Sequence, residues 1–193
     1  MNVLITGVAG LVGANFAEYL LSKRQELGID KVIGVDDLSG GYVENLDLKN
    51  VNFEFIKADL SDQEEQGLVD LIFKQNKIDY IFHFAAYAAE GLSPFIRQYN
   101  YTSNVITTTF LITLGIRYNV RRFVFTSSMA TYGRNTTPFT EDMTPNPIDP
   151  YGIAKYACEM DLQVAYEQHG MEYCIILPHN IFGKYQNIWD PYR

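Results

Sequence analysis

The stretch Thr6-Gly7-Val8-Ala9-Gly10-Leu11-Val12-Gly13 decides the fold of this 193-residue chain. An apolar run, Val3–Thr6, precedes it. A segment with helical spacing follows, Leu11–Arg24, in which Leu11, Phe16, Leu20 and Leu21 are apolar. Strand, glycine turn and helix in direct succession open a dinucleotide-binding βαβ unit. Glycines let the backbone turn tightly, let a pyrophosphate approach the main chain, and let the helix pack close on the sheet. The helix start adds N–H donors for the phosphates. Gly7, Gly10, Leu11, Val12 and Gly13 are the expected cradle.

The rest of the chain keeps the alternation. Strands are expected at Lys31–Val35, Phe53–Ile56, Tyr80–Phe84, Arg122–Ser127 and Tyr173–Leu177. Helices are expected after a cap at Ser61 or Asp62, over Gln98–Tyr118, and over Tyr151–His169 with Gly170 ending it. Thr137–Pro150 is Pro-rich and reads as one long surface loop. Near-continuous apolar strands separated by helices mean a parallel sheet buried on both faces. The expected fold class is α/β, a Rossmann-like doubly wound parallel sheet with helices on both faces. Such sheets bind ligands at the carboxyl ends of their strands. Gly7, Asp36, Asp59, Ala85-Ala86, Ser127-Ser128 and Pro178-His179-Asn180 all fall there.

Hydrophobic residues make up 47 % of the chain, which predicts a globular domain. The net charge of −8 lacks the basic stripe that a nucleic-acid partner requires. No apolar run reaches bilayer length and the chain opens on a strand, so no membrane partner and a soluble, cytoplasmic protein are expected. Cys158 and Cys174 sit inside apolar segments without Cys-x-x-Cys spacing and read as buried free thiols. The three histidines lack ligand spacing, so no metal is expected.

Asp36 ends the second strand about 20 residues beyond the third glycine, where a carboxylate accepts hydrogen bonds from an adenosine ribose. It also repels a 2′-phosphate. Asp37 lies beside it and no Lys or Arg comes before Lys49, so NAD is expected rather than NADP. Asp37 reads equally as a ribose contact and as a turn residue. Asp59, with Leu60, reads as an adenine flank or as a cap.

Tyr151-Gly152-Ile153-Ala154-Lys155 places a phenol and an ammonium one helical turn apart. A free tyrosine, with a pKa near 10, is a poor base at neutral pH. The ammonium is expected to stabilise the phenolate and bring it toward the working range. Lys155 can also hold the nicotinamide ribose. Thr126-Ser127-Ser128 ends the fifth strand. Ser128 is expected to bond the reacting oxygen and Ser127 to support the cofactor, with strand-end capping the alternative. This set of groups suits hydride transfer at a hydroxyl-bearing carbon.

Together these residues resemble the extended short-chain dehydrogenase/reductase superfamily, in particular its nucleotide-sugar epimerases. The resemblance covers nearly the whole chain. It is carried by the glycine opening, Asp36, Asp59-Leu60, His83-Phe84-Ala85-Ala86, Asn104, Phe125–Gly133, Tyr151-Gly152-x-x-Lys155 and Pro178-His179-Asn180-x-x-Gly183. It implies an NAD-dependent isomerase acting on a UDP-hexose by transient oxidation at C4, turning of the keto sugar and re-reduction. It adds Phe84, Ala85, Ala86, Asn104 and Pro178 to the cofactor set, and gives Asn180 and Ser128 contacts to the nucleotide sugar. Dehydratases and decarboxylases of this kind place an acid directly after the Ser/Thr; here Met129 and Ala130 follow Ser128, which favours epimerisation. Another dehydratase or reductase, or a catalytically silent NAD-binding dimerisation module, are the alternatives.

Similar epimerases continue past Trp189-Asp190-Pro191-Tyr192-Arg193, expected to be a loop, into a substrate-binding portion. Residues 1–193 thus read as the NAD-binding Rossmann domain without that portion, truncated or naturally short. The helices Gln98–Tyr118 and Tyr151–His169 carry apolar residues on more than one face, Ile106, Phe110 and Met160 among them. That excess suggests a homodimer, as in similar epimerases, or burial under the missing portion.

Overall fold

A computed structural model describes residues 1–189. The expected loop at 190–193 lies outside the described residues. Six strands form one parallel sheet: β1 Asn2–Thr6, β2 Lys31–Asp36, β3 Phe53–Lys57, β4 Ile78–His83, β5 Arg122–Thr126 and β6 Glu172–Ile176. Their order is β3-β2-β1-β4-β5-β6, so the winding reverses between β1 and β4 and leaves a crevice beyond those two strands. The helices are α1 Leu11–Ser22, α2 Arg24–Leu27, α3 Gln63–Gln75, α4 Arg97–Tyr101, α5 Thr107–Arg117 and α6 Pro150–His169. The expected strands are all present, with ends moved by one or two residues.

The strand alternation divides the core between the two sheet faces. Val3 and Ile5 pack with Ala17 and Leu20 of α1 and with Val32. Leu4, Ile33 and Ile81 join Phe123, Phe125, Leu111 and Leu162 in the larger cluster with α5 and α6. Local chemistry sets the helix ends. Asp62, not Ser61, caps α3 by accepting from the Glu64 and Glu65 amides at 2.8 and 3.2 Å. In α6, Asp149 caps the start, Pro150 opens the first turn and Gly170 closes the helix at φ +71°.

Two expectations are corrected. The helix read as Gln98–Tyr118 is not continuous: a π-helical turn, Thr102–Ile106, separates α4 from α5. There Thr107 and Thr108 donate their hydroxyls to the carbonyls of Ser103 and Asn104, which supports the widened turn. Cys158 is buried, but Cys174 is exposed, because β6 is an edge strand whose outward positions 172, 174 and 176 are uncovered. Among the described residues, no helix is long and apolar enough to cross a membrane, and no group of His, Cys, Asp or Glu could hold a metal ion.

Candidate active site

The glycine turn joins β1 to α1 at the crevice. Gly7 sits at φ +67°, a conformation glycine adopts without strain, and a Cβ there would lie 2.6 Å from the Ala85 nitrogen. At Gly13 a Cβ would lie 2.1 Å from the Gly7 carbonyl oxygen. These two glycines are required by packing. Gly10 is different. Its φ is −82°, and an added Cβ would meet only the Gly7 oxygen, at 3.5 Å. Neither backbone geometry nor a protein neighbour demands glycine there, and no side chain caps α1. The open space at Gly10, before the first N–H groups of α1, fits the pyrophosphate of a dinucleotide.

Gly7, Gly10, Leu11, Val12 and Gly13 line one cleft with Asp36, Asp37, Asp59, Leu60, Phe84, Ala85 and Ala86. Asp36 is buried and braces the turn: Oδ2 accepts the Ala9 amide at 2.9 Å and Oδ1 accepts the Leu38 amide at 2.8 Å. Asp37 is exposed and accepts the Ser39 amide at 2.7 Å, as a turn residue does, while also lining the cleft. Asp59 organises the turn before α3 by accepting from the Ser61 amide and hydroxyl.

Some of the cleft went unread in the sequence. Ser39, Gly40 and Gly41 line it, and Gly41 packs on the glycine turn so closely that a Cβ would lie 2.4 Å from the Ala9 carbonyl carbon. The Gly40-Gly41 pair soon after the acids was the available signal. Ile181, Gln186 and Asn187 also line the cleft, on a strap that follows β6. The strap is tied to α1 by Asn15, which donates to the Lys184 carbonyl at 2.7 Å, and by the Lys184–Glu18 ion pair. On the other side Tyr42 donates to Asn187 at 3.2 Å, and Asn187 donates to the Gly40 carbonyl.

A buried polar relay fixes the exit of β4. The Ala85 amide donates to the Thr6 hydroxyl at 3.3 Å, and Thr6 lies 2.6 Å from Nδ1 of His83. Nε2 of His83 lies 2.9 Å from the Thr108 hydroxyl, whose proton goes to the Asn104 carbonyl at 2.6 Å. Thr108 must therefore accept from Nε2–H, which leaves Nδ1 to accept from Thr6. Burial holds the imidazole at about 3, so it stays neutral. Asn104 accepts the Tyr87 amide and donates to the Tyr87 carbonyl and to Asn100; Asn100 donates to the Pro150 carbonyl. Asn104 is buried and absent from the cleft lining; it joins the glycine turn to the start of α6.

Tyr151 and Lys155, 7 % and 3 % exposed, face the exit of β5 from α6. Lys155 donates to the Thr126 carbonyl at 2.8 Å and lies 4.8 Å from the centre of the Phe125 ring. Ser128 caps the short turn Met129–Thr131 by accepting the Ala130 amide at 3.2 Å, and its hydroxyl favours ionisation of the Tyr151 phenol. Ser127 is buried and donates to Glu159 on α6. Strand alternation thus sends the two serines to different partners. Pro178 receives the Met129 amide at its carbonyl, while Asn180 is exposed. Neither lines the cleft.

The electrostatics depart from the expectation for Tyr151. Burial pushes its phenol up to about 12; the Ser128 hydroxyl opposes this, and Glu90 and Asp149 add to it. The lysine does not pull it down. Its Nζ is committed to the Thr126 carbonyl and lies 5.8 Å from the tyrosine ring centre. Burial also lowers Lys155 to about 8. On raising the pH, the ammonium is lost before the phenol ionises.

Lys155 gives a stability prediction. Between about 8 and its ordinary 10.5, the unfolded chain binds more protons than the fold, so stability rises with pH through that window. Lys155→Met removes the slope. At pH 7 it raises stability by up to about 3 kcal/mol, offset by about 1 kcal/mol for the orphaned Thr126 carbonyl and further by the lost counter-charge of Glu159. Urea midpoints at pH 7 and pH 10 check this: the gain should shrink toward pH 10.

A doubly wound sheet with a glycine cradle after β1, an acid ending β2, and a Tyr–Lys helix facing a serine-bearing β5 defines the extended short-chain dehydrogenase/reductase class. Within it, the chain belongs to the NAD dependent epimerase/dehydratase family, which it matches over residues 3–190. It is 34 % identical to UDP-glucose 4-epimerase of Mycolicibacterium smegmatis, over 97 % of this chain and 58 % of that protein. The structure of UDP-glucose 4-epimerase from Thermotoga maritima with UDP-glucose superposes at a TM-score of 0.88 with 34 % identity, covering 100 % of this chain and 60 % of that one. A dTDP-glucose 4,6-dehydratase from Streptomyces venezuelae with NAD bound superposes at 0.87 with 27 % identity, over 96 % of this chain and 58 % of that one. The chain spans less than two thirds of the length of each of these proteins.

Proposed function

We propose that residues 1–193 are the NAD-binding, catalytic-residue-bearing Rossmann unit of a nucleotide-sugar 4-epimerase acting on a UDP-hexose. The observation that carries this reading is that buried Tyr151 and Lys155 face the serine-bearing exit of β5, with Met129 and Ala130 where a dehydratase would carry an acid. The glycine turn and the α1 start hold the pyrophosphate. Asp36 and Asp37 take the adenosine ribose, Asp59 and Leu60 flank the adenine, and Phe84, Ala85 and Ala86 line the nicotinamide half, with Pro178 behind it fixing the Met129 amide. Asn104 and Ser127 act from behind the site, holding backbone in place. When bound, NAD⁺ accepts a hydride from sugar C4 and returns it.

The protein's part is to move a proton and hold an oxygen. Tyr151 exchanges the proton of the 4-hydroxyl, and Ser128 fixes that oxygen by hydrogen bonding. Lys155 supplies positive charge and holds ribose hydroxyls. Asn180 contacts the nucleotide-sugar phosphates. One of the similar structures holds UDP-glucose and the other holds NAD, which supports both ligands here. Half-exposed Ile106 on the π turn before α5, with Ile153, Met160 and Val164 on α6, supports a homodimer formed through this helix pair. The cytoplasm is the proposed compartment.

A dehydratase is the second reading, favoured by Glu90. Burial and Asp149 raise its carboxyl toward the protonated form, and it acts electrostatically on Tyr151. One experiment separates the readings. The chain is incubated with NAD⁺ and UDP-glucose or UDP-galactose, and the products are resolved by chromatography and NMR. Formation of the other epimer without net NADH supports the proposal. A 4-keto-6-deoxy sugar would favour the dehydratase, and net NADH a reductase.

A further inference from the structure

Tyr151, Lys155 and Glu159 follow one another at four-residue spacing, so all three share one face of α6. That face meets the exit of β5 residue by residue. Lys155 grips the Thr126 carbonyl at 2.8 Å, and Glu159 accepts the hydroxyl of buried Ser127. The Ser127 amide is meanwhile tied to the Ile176 carbonyl of β6 at 2.8 Å. The next residue is Ser128, whose hydroxyl acts on the Tyr151 phenol. The backbone that carries Ser128 is therefore held against α6 by a clamp whose far jaw is Glu159.

We propose that Glu159 is a positioning residue: it holds Ser128 in register with Tyr151 through the Ser127 hydroxyl, and it is the counter-charge of Lys155. A carboxylate drawn into a protein interior needs a partner charge or several donors. Burial raises the Glu159 carboxyl, and the Ser127 hydroxyl and the Lys155 ammonium oppose that rise. In return, Glu159 supports the charge on Lys155 against burial. The other titratable groups that face this pair are His83 from β4, Tyr151 and Cys158 from α6, and Tyr132 beyond β5. Burial keeps His83 neutral and holds the Tyr151, Cys158 and Tyr132 protons on. None of them can replace the carboxylate as an anion near neutral pH.

The test uses Glu159→Gln and Glu159→Ala. Gln keeps an acceptor for Ser127 but loses the charge; Ala loses both. The first readout is the titration of Lys155, followed by NMR of ¹³Cε-labelled lysine and assigned by the signal missing in Lys155→Arg. The Lys155 midpoint should fall by about one pH unit in Glu159→Gln. A midpoint unchanged in Glu159→Gln overturns the counter-charge role, whatever happens to thermal stability. The second readout rests on the epimerase reading: kcat should fall several-fold in Gln and further in Ala, with KM for the sugar nucleotide unchanged. Equal losses in the two variants overturn the clamp. A shifted Lys155 midpoint in a chain that turns over no UDP-hexose supports the counter-charge and rejects the epimerase reading instead. Where Glu159→Ala does not fold, its rescue by Gln supports the clamp and the NMR titration still decides the charge.

Discussion

Replacing Tyr151 with Phe should lower kcat for the sugar nucleotide by about 10²–10⁴-fold, the range for loss of a general acid–base group, while the fold survives. The substitution is unusually clean here. The ring keeps its buried packing and its place near Lys155, and the Tyr151 amide still donates to the Ser93 hydroxyl at 3.2 Å. The one group removed is a buried phenol on which the Ser128 hydroxyl acts. Losing that favourable influence and relieving the burial of a polar oxygen nearly cancel, so stability should move by less than about 1 kcal/mol. Turnover retained in a folded Phe variant would remove Tyr151 from the chemistry. The free fold holds the phenol near 12 and the lysine near 8, so the resting state is a phenol beside an ammonium. A proton leaves Tyr151 only when something in the cleft makes the phenolate cheaper. In the proposed reaction that help comes from bound ligands rather than from the lysine alone.

The second large effect separates two glycines in one motif. Gly13→Ala should destabilise the protein by about 3 kcal/mol or more, because the new Cβ lies 2.1 Å from the Gly7 oxygen and 2.6 Å from the Val8 Cα. Both are main-chain atoms at the junction of β1 and α1 and cannot rotate away. Gly10→Ala should cost only about 0.5–1 kcal/mol, the usual loss at a helix cap. Its effect should appear in ligand binding. Blocking two charge-assisted phosphate contacts at about 1.5 kcal/mol each weakens NAD⁺ by about 100-fold. Urea midpoints and calorimetric NAD⁺ titration of both variants check the contrast. A Gly10→Ala protein that binds NAD⁺ as tightly as the parent would place the pyrophosphate elsewhere.

The order of strands and helices was legible because periodicity, glycines and caps agreed at each junction. Gly7 and Gly13 mark the first turn, Asp62 the start of α3, and Gly170 the end of α6. The positions of Gly7, Gly10, Gly13, Ser128, Tyr151 and Lys155 were legible for the same reason: each sits at a strand exit or on the first turns of a helix. The π turn at Thr102–Ile106 was not, since local propensity reads straight α-helix and the turn answers to a distant demand, Asn104 reaching the Tyr87 backbone. Nor was the electrostatic state of Tyr151 legible. Spacing puts Lys155 on the same helical face, but it does not say that the ammonium turns to the Thr126 carbonyl. Glu159 was readable in principle as the next residue along that face; its partner Ser127 became visible only once β5 and α6 were placed together.

The strap at 181–187 bears on time rather than affinity. It is fastened to α1 at one side of the cleft and to the loop at Gly40 and Tyr42 on the other. Fastenings that must open for a dinucleotide to enter must open again for it to leave. Where a ligand's path runs through such fastenings, both crossings slow and the equilibrium constant is unchanged, so residence lengthens without tighter binding. A catalyst that releases its cofactor each cycle would be throttled by such a strap. One that restores its cofactor to the starting oxidation state within every turnover would not, and could keep a single molecule through many cycles.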